Sequence, residues 1–299
     1  MSYHVPVLLK ESVDALGIVP GGIYVDLTFG GGGHSGEILR RLDSRGRLYA
    51  FDQDPDAHAN KPADERLELI RGNFRYMRGY LRSHGVEAVD GILADLGISS
   101  HHIDTPERGF SFRFEGELDM RMNTSATLSA KEVVNGYPHE TLTYIFREYG
   151  EVDKPHKVAG LITAAREKSP INTVAELIKV LEPQTPKMQE NKFLAKVFQA
   201  IRIEVNGEME SLAMMLEQSG KMLKPGGYLA VITYHSLEDR MVKNYMKTGN
   251  VEGVAQKDFF GKVTNPFLLV TRKPIESSEE ELERNTRARS ARLRVVQKL

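Results

Sequence analysis

Four consecutive glycines stand in the stretch DLTFGGGGH, Asp26 to His34. They follow an apolar run, Ile23 to Thr28, that reads as a strand. They precede a stretch whose apolar residues Ile38, Leu39 and Leu42 recur at helical spacing. Each glycine costs conformational entropy on folding, so four are a wasteful way to make a plain tight turn, which is the competing reading. Such a loop lets backbone approach a ligand closely, and the helix start behind it attracts an anionic group. Gly31, Gly33 and Gly36 also fit G-x-G-x-x-G, a pattern that is weak alone.

The rest of the first third continues this alternation. Arg47 to Asp52, Leu67 to Arg71 and Val89 to Leu96 read as further strands separated by helical stretches, which argues for parallel βαβ units. From Pro106 to Gly207 the pattern is helical instead. Leu142, Ile145, Phe146 and Tyr149 share one face between Pro138 and Gly150, Val158, Leu161, Ile162 and Ala165 repeat the spacing, and Thr173 with Glu176 forms a capping box. The α/β pattern returns near Glu208, with a turn signal at KPGG (Lys224 to Gly227), a strand from Tyr228 to Tyr234 and a last strand from Phe267 to Thr271. From Arg284 onward there are six basic residues and no acidic one.

Asp52 ends the second strand about 20 residues past the loop, where an acid commonly bonds ribose hydroxyls. An adenosine-containing cofactor follows, either a nicotinamide dinucleotide or S-adenosylmethionine. KPGG before a late strand, and Asp95 ending the fourth strand, favour S-adenosylmethionine. With no cysteine there is neither disulfide nor thiolate metal site, and His101 beside His102 lacks the spacing to share an ion, so no metal is expected. No apolar run approaches the roughly 20 residues of a spanning helix, and the N-terminus lacks a signal-peptide layout, so the expectation is a cytoplasmic protein without membrane partners. The net charge is −1, so any nucleic-acid surface must concentrate positive charge locally.

The chain resembles the bacterial 16S ribosomal RNA cytosine-N4 methyltransferases (the RsmH/MraW type). The matching stretches are HVPVLL (His4 to Leu9), TFGGGGHS (Thr28 to Ser35), DGILADLGISS (Asp90 to Ser100) and ERGFSF (Glu107 to Phe112). Further on are LDMRM (Leu118 to Met122), FQAIRIEVN (Phe198 to Asn206), YHSLEDR (Tyr234 to Arg240) and RARSARLR (Arg287 to Arg294). They run in family order across almost the whole chain. The resemblance implies a class I, Rossmann-like S-adenosylmethionine-dependent methyltransferase with an inserted, mainly helical subdomain. Residues 1–105 and 208–299 would form the discontinuous methyltransferase domain, and 106–207 the substrate-recognition insert. It further implies methylation of the exocyclic N4 amine of a cytosine in the decoding centre, in an assembled or nearly assembled small subunit, by a monomer or weak homodimer. The rival readings are a non-catalytic RNA-binding or ribosome-assembly protein and an NAD-dependent oxidoreductase.

Carried over residue by residue, the cofactor site would be Gly32, Gly33, His34, Asp52, Phe74, Asp95 and His102. His102 stands where many members carry glutamine, and Thr286 where proline usually precedes the arginines. Glu151 to Lys157 is less basic than the family's pattern. The amine of cytosine is a poor nucleophile, because its lone pair is delocalised into the ring. Asp95 is the first candidate to accept its N–H bonds, the alternative being that Asp95 only orients the cofactor. Ser99 and Ser100 could bond the base edge or simply serve a turn. His235 could stack on or bond the target base, while Glu238, Asp239 and Arg240 could form a charge cluster at a helix start. RNA contacts are expected from Arg287, Arg289, Arg292 and Arg294, and from Lys192, Lys196 and Arg202 on the last helix of the insert. Phe110, Phe112 and Phe114 alternate as a core-facing edge, or alternatively as a stacking platform for bases.

Overall fold

The computed structural model describes residues 6–261 and 263–299, except the side chains of Ser100, His101 and Val263. His4 and Val5 of HVPVLL lie outside the described residues, as do the Ser100 and His101 side chains considered above. The chain divides into two compact units, Met1–Gly97 with Met209–Leu299, and Ile98–Glu208. The first break therefore falls before the position expected from the change in periodicity, and residues 98–105 go with the helical unit.

The α/β unit is built on one seven-stranded sheet. Its strands are β1 (Ile23–Asp26), β2 (Arg47–Asp52), β3 (Leu67–Arg71), β4 (Val89–Asp95), β5 (Leu223–Thr233), β6 (Phe267–Leu269) and β7 (Arg292–Lys298). Their order across the sheet is β3-β2-β1-β4-β5-β7-β6. Strands β1 to β5 pair parallel, and β7 runs antiparallel between β5 and β6. Both faces are covered. On one, Ile92 and Val231 pack with Met77, Leu81, Leu212, Met215, Leu216 and Val242 of the helices. On the other, their neighbours Leu93, Ala230 and Ile232 pack with Ile38, Leu39 and Val13. Successive strand residues thus face opposite layers, which explains why the central strands read as continuous apolar runs.

Two sequence expectations need correction. The stretch from Phe267 is not the last strand. The arginine-rich segment supplies another, β7, because Leu293 and Val295 alternate with Arg292 and Arg294 and pack into the core. KPGG is more than a turn before β5. Val89 pairs with Leu223 and Gly91 with Tyr228, so Lys224 to Gly227 bulge out of the ladder. Gly226 takes the left-handed φ of 84° that this bulge requires.

The helical unit has its own core. Helices Ala130–Gly136, His139–Glu148, Pro155–Arg166, Val174–Leu181 and Glu190–Asn206 bury Leu142, Ile145, Phe146, Val158, Ile162, Leu177 and Val197. The capping box at Thr173 and Glu176 is formed, and Ser129 with Glu132 makes a second. Phe110 joins this core, Phe112 meets Phe198 edge-on at 5.6 Å, and Phe114 is exposed. The first two rings are therefore packing elements rather than an open platform.

Candidate active site

The chain runs outward from β1 through β2 to β3, then returns to the other side of β1 to form β4 and β5. In such sheets a crevice opens at the carboxyl ends where the direction reverses, here beyond β1 and β4. The glycine loop leaves β1 at that point. Asp26 closes the strand fully buried, its carboxylate accepting the Thr28 N–H at 3.1 Å and the Ser35 hydroxyl at 2.6 Å. The loop is thereby pinned at both ends to one side chain. Gly32 has a φ of 76° and precedes the helix Gly33–Arg41 with no side-chain cap. The first N–H groups of that helix are the kind of donors that receive an anionic group. A Cβ on Gly33 would lie 2.1 Å from Cγ of Pro6, so only glycine fits there.

Asp52, at the end of β2, reaches back to the loop. Its Oδ2 accepts the Gly30 N–H at 2.8 Å and its Oδ1 accepts the Asp54 N–H at 2.9 Å. Half-buried Phe74 opens the short turn Phe74–Tyr76 after β3. That turn is tied to the end of β2, because Asn73 Nδ2 donates to Gln53 Oε1 at 3.1 Å.

Asp95 ends β4. Its N–H donates to Thr28 Oγ1 at 2.7 Å, which joins it to the glycine loop. Its Oδ1 accepts the Tyr234 hydroxyl at 2.7 Å, and its Oδ2 lies 3.9 Å from His34 Nδ1. The other ring nitrogen of His34 donates to the Val7 carbonyl at 3.1 Å, which fixes the ring's orientation. Burial pushes the Asp95 carboxyl up to about 6, opposed by the His34 ring and the Tyr234 hydrogen bond. Burial and the adjacent Asp95 carboxylate drive the Tyr234 phenol well above its ordinary range. A carboxyl poised near neutrality at a strand end is suited to accept hydrogen bonds, and then a proton, from a nitrogen that is losing electron density.

The structure thus brings together Gly32, Gly33, His34, Asp52 and Asp95, with Phe74 on the neighbouring strand end. Sequence reasoning missed Tyr234, Thr28 and Asp26. Tyr234 lies within YHSLEDR, but nothing local signals a partner 139 residues away.

Other expected site residues are differently employed. His235 caps the helix Ser236–Thr248. Its ring accepts the Glu238 N–H at 3.4 Å and faces the Glu238 carboxylate at 3.1 Å, an arrangement for holding a helix end rather than a base. Ser99 and His102 belong to the helical unit. Ser99 Oγ accepts the His102 N–H at 3.2 Å, and the buried His102 ring stacks on Phe110 at 4.8 Å. Of the expected RNA contacts, Arg294 is held by a bidentate bond to Asp239 at 2.7 and 2.9 Å, both side chains only 11% exposed. Arg292 lies 3.5 Å from the same carboxylate. Arg202 makes a bidentate pair with Glu208 at 2.9 Å, and Lys196 donates to the Glu151 carbonyl at 2.6 Å. Arg287 is half-buried in the short turn Thr286–Ser290, whereas Lys192 and Arg289 are exposed. The arginine-rich segment is a sheet strand and its approach, not a tail that orders on RNA, because its apolar partners already order it.

The strand order with β7 antiparallel, the glycine loop after β1, and carboxylates ending β2 and β4 define a class I, Rossmann-like S-adenosylmethionine-dependent methyltransferase. The model of the MraW methylase family matches residues 1–299. The chain is similar to a ribosomal RNA small subunit methyltransferase H from Phocaeicola vulgatus, 60% identical over 99% of this chain and 97% of the relative. It is also similar to proteins of that description from Bacteroides thetaiotaomicron (57% identical, 100% and 98% covered) and Flavobacterium johnsoniae (54% identical, 100% and 99% covered). The chain belongs to the MraW methylase family.

Proposed function

We propose that the protein methylates the exocyclic N4 amine of a cytosine in the decoding centre of 16S ribosomal RNA, within an assembled or nearly assembled small subunit. The cytoplasm is the compartment this reading assigns, and among the described residues no helix is long and apolar enough to cross a membrane. The observation that carries the reading is the Asp95 carboxyl, held between Tyr234 and His34 and joined through Thr28 to the glycine loop.

S-adenosylmethionine supplies an electrophilic methyl group on a sulfonium. The residues fit such a ligand, because the helix Gly33–Arg41 begins without a side-chain cap, and Asp52 and Asp95 end their strands joined to the glycine loop. Gly32, Gly33 and His34 would hold the methionine end, Asp52 the ribose and Phe74 the adenine. Asp95 accepts an N–H of the target amine, which returns electron density to nitrogen, and it takes up the proton released on transfer. Tyr234 and His34 hold the carboxyl in place for this. Positioning supplies much of the remaining acceleration. The helical unit would recognise the substrate, with Lys192 and Arg289 left for RNA phosphates, and the protein would act as a monomer or weak homodimer.

The test is incubation with labelled S-adenosylmethionine and small subunits from a strain lacking the gene, followed by mapping of the label. One N4-methylated cytosine in the decoding region, lost with Asp95→Ala, is the expected result. A cofactor titration of the variant then separates amine activation from cofactor binding. Cofactor binding without transfer to any subunit would leave a non-catalytic RNA-binding role, and binding of NAD alone would overturn the methyltransferase reading.

A further inference from the structure

Away from the strand ends, the α/β unit carries a small antiparallel hairpin outside the main sheet, pairing Gln256–Lys257 with Val263–Thr264. Its tip is a tight turn in which the Gly261 N–H donates to the Asp258 carbonyl at 2.9 Å and the Phe260 N–H to the Asp258 carboxylate at 2.9 Å. The two central turn residues are Phe259 and Phe260, which are 96% and 90% exposed. Large apolar side chains gain by burial, so two adjacent phenylalanines held in water by an ordered turn are a cost without a return inside this unit. Their rings meet at 87° with centroids 5.7 Å apart, leaving ring faces open to solvent in two directions.

The helix that leads into this hairpin is positively charged on its exposed face. The helix Ser236–Thr248 exposes Arg240, Lys243 and Lys247, spaced i, i+3, i+7 along one face. The hairpin springs from the end of that helix. Asn265 Nδ2 donates to the Met246 carbonyl at 3.1 Å, and Asn250 bonds the Val254 backbone through both its amide groups at 2.7 and 3.0 Å. Between Arg240 and Thr264 the chain has five basic residues and two acidic ones, Glu252 and Asp258, in a protein of net charge −1.

We propose that the hairpin tip and this helix face form a docking surface for a single-stranded segment of RNA. Unpaired bases stack on Phe259 and Phe260, and the flanking phosphates lie along Arg240, Lys243 and Lys247. Every base has a π-face, so an aromatic pair suits bases of any sequence, while a row of cations follows a backbone. An apolar protein partner has no need of the basic row, and a second copy of this chain would bring a like charge to it. The surface rests on the RNA-methylation reading and extends it, because these residues lie outside the site that would hold the cofactor.

The test measures equilibrium binding of the full chain to small subunits from a strain lacking the gene, at several salt concentrations. Phe259→Leu/Phe260→Leu keeps the apolar character and removes the stacking. It is expected to weaken binding by about fivefold to 100-fold, leave cofactor binding unchanged, and be rescued by Phe259→Trp/Phe260→Trp. Lys243→Gln/Lys247→Gln is expected to flatten the dependence of log affinity on log salt by about 0.7 to 0.9 for each phosphate that the lysines no longer neutralise. A leucine pair that binds as well as wild type overturns the proposal, as does a leucine pair that binds tightly while an alanine pair does not, which marks an apolar protein contact. A change in sedimentation with unchanged subunit affinity assigns the patch to a second copy and also overturns it. Wild-type protein that neither binds nor methylates subunits overturns the methylation reading and this one together.

Discussion

Asp95→Asn is expected to stabilise the protein while stopping methyl transfer. The carboxyl sits at the end of β4, with its pKa pushed from 3.8 up to about 6. That displacement corresponds to about 3 kcal/mol between the protonation states. The folded state therefore holds this proton more tightly than the unfolded chain does. Stability falls as pH rises from about 4 to 6, and the full cost of the buried charge is present above that window. The side chain is 21% exposed, so partial hydration reduces the expected effect to about 1 to 3 kcal/mol. Asparagine keeps an acceptor for the Tyr234 hydroxyl and carries no charge. Urea unfolding without cofactor at about pH 8 should show a higher midpoint for the variant, with the difference narrowing steadily towards about pH 4. A difference that does not change with pH, or a variant less stable than wild type at the higher pH, would refute the argument.

Tyr234→Phe removes the hydroxyl that favours the Asp95 carboxylate, so the acid limb of the transfer rate should move to higher pH by about one unit, with cofactor affinity unchanged. A pH–rate profile checks this. Gly33→Ala drives a Cβ into Pro6, and isothermal titration should find cofactor binding at least tenfold weaker by an order-of-magnitude expectation, in a chain that remains folded. Arg294→Ala leaves the Asp239 carboxylate buried without its bidentate partner. Denaturant unfolding should show a loss of about 3 kcal/mol, while the salt dependence of RNA binding stays as in wild type. His235→Asn should retain most of the stability that His235→Ala loses, about 1 kcal/mol, because capping needs only an acceptor at that position.

The loop, the strands β2 and β3, and the Thr173 capping box are legible because each is a local signal: a run of glycines, a short apolar run, a residue pair three apart. The strand β7 is hidden by its own alternation, in which arginines on one side of the ladder outweigh Leu293 and Val295 in a reading by charge. The same bias makes Arg294 look like an RNA contact, whereas Asp239, on another element, takes up its fork. His235 misleads because a histidine beside a strand end looks chemical, and its role depends on the Glu238 backbone three residues on. The Tyr234–Asp95 bond has no sequence signal at all. It exists because β4 and β5 are neighbours in register, Asp95 opposite Ile232, and a helical unit separates them in the chain.

Asp26 has a consequence beyond its two hydrogen bonds. A run of glycines is the most mobile backbone a chain can make, and ordering each residue costs about 1 to 2 kcal/mol of entropy. The buried carboxylate at one end of the loop, and Asp52 across from it, impose that ordering when the protein folds. A ligand then meets a receptor already shaped and loses little to freezing it. Loosening either aspartate would release the loop while the sheet beneath stayed intact. On warming such a variant, cofactor affinity would fade well before the cooperative unfolding of the sheet.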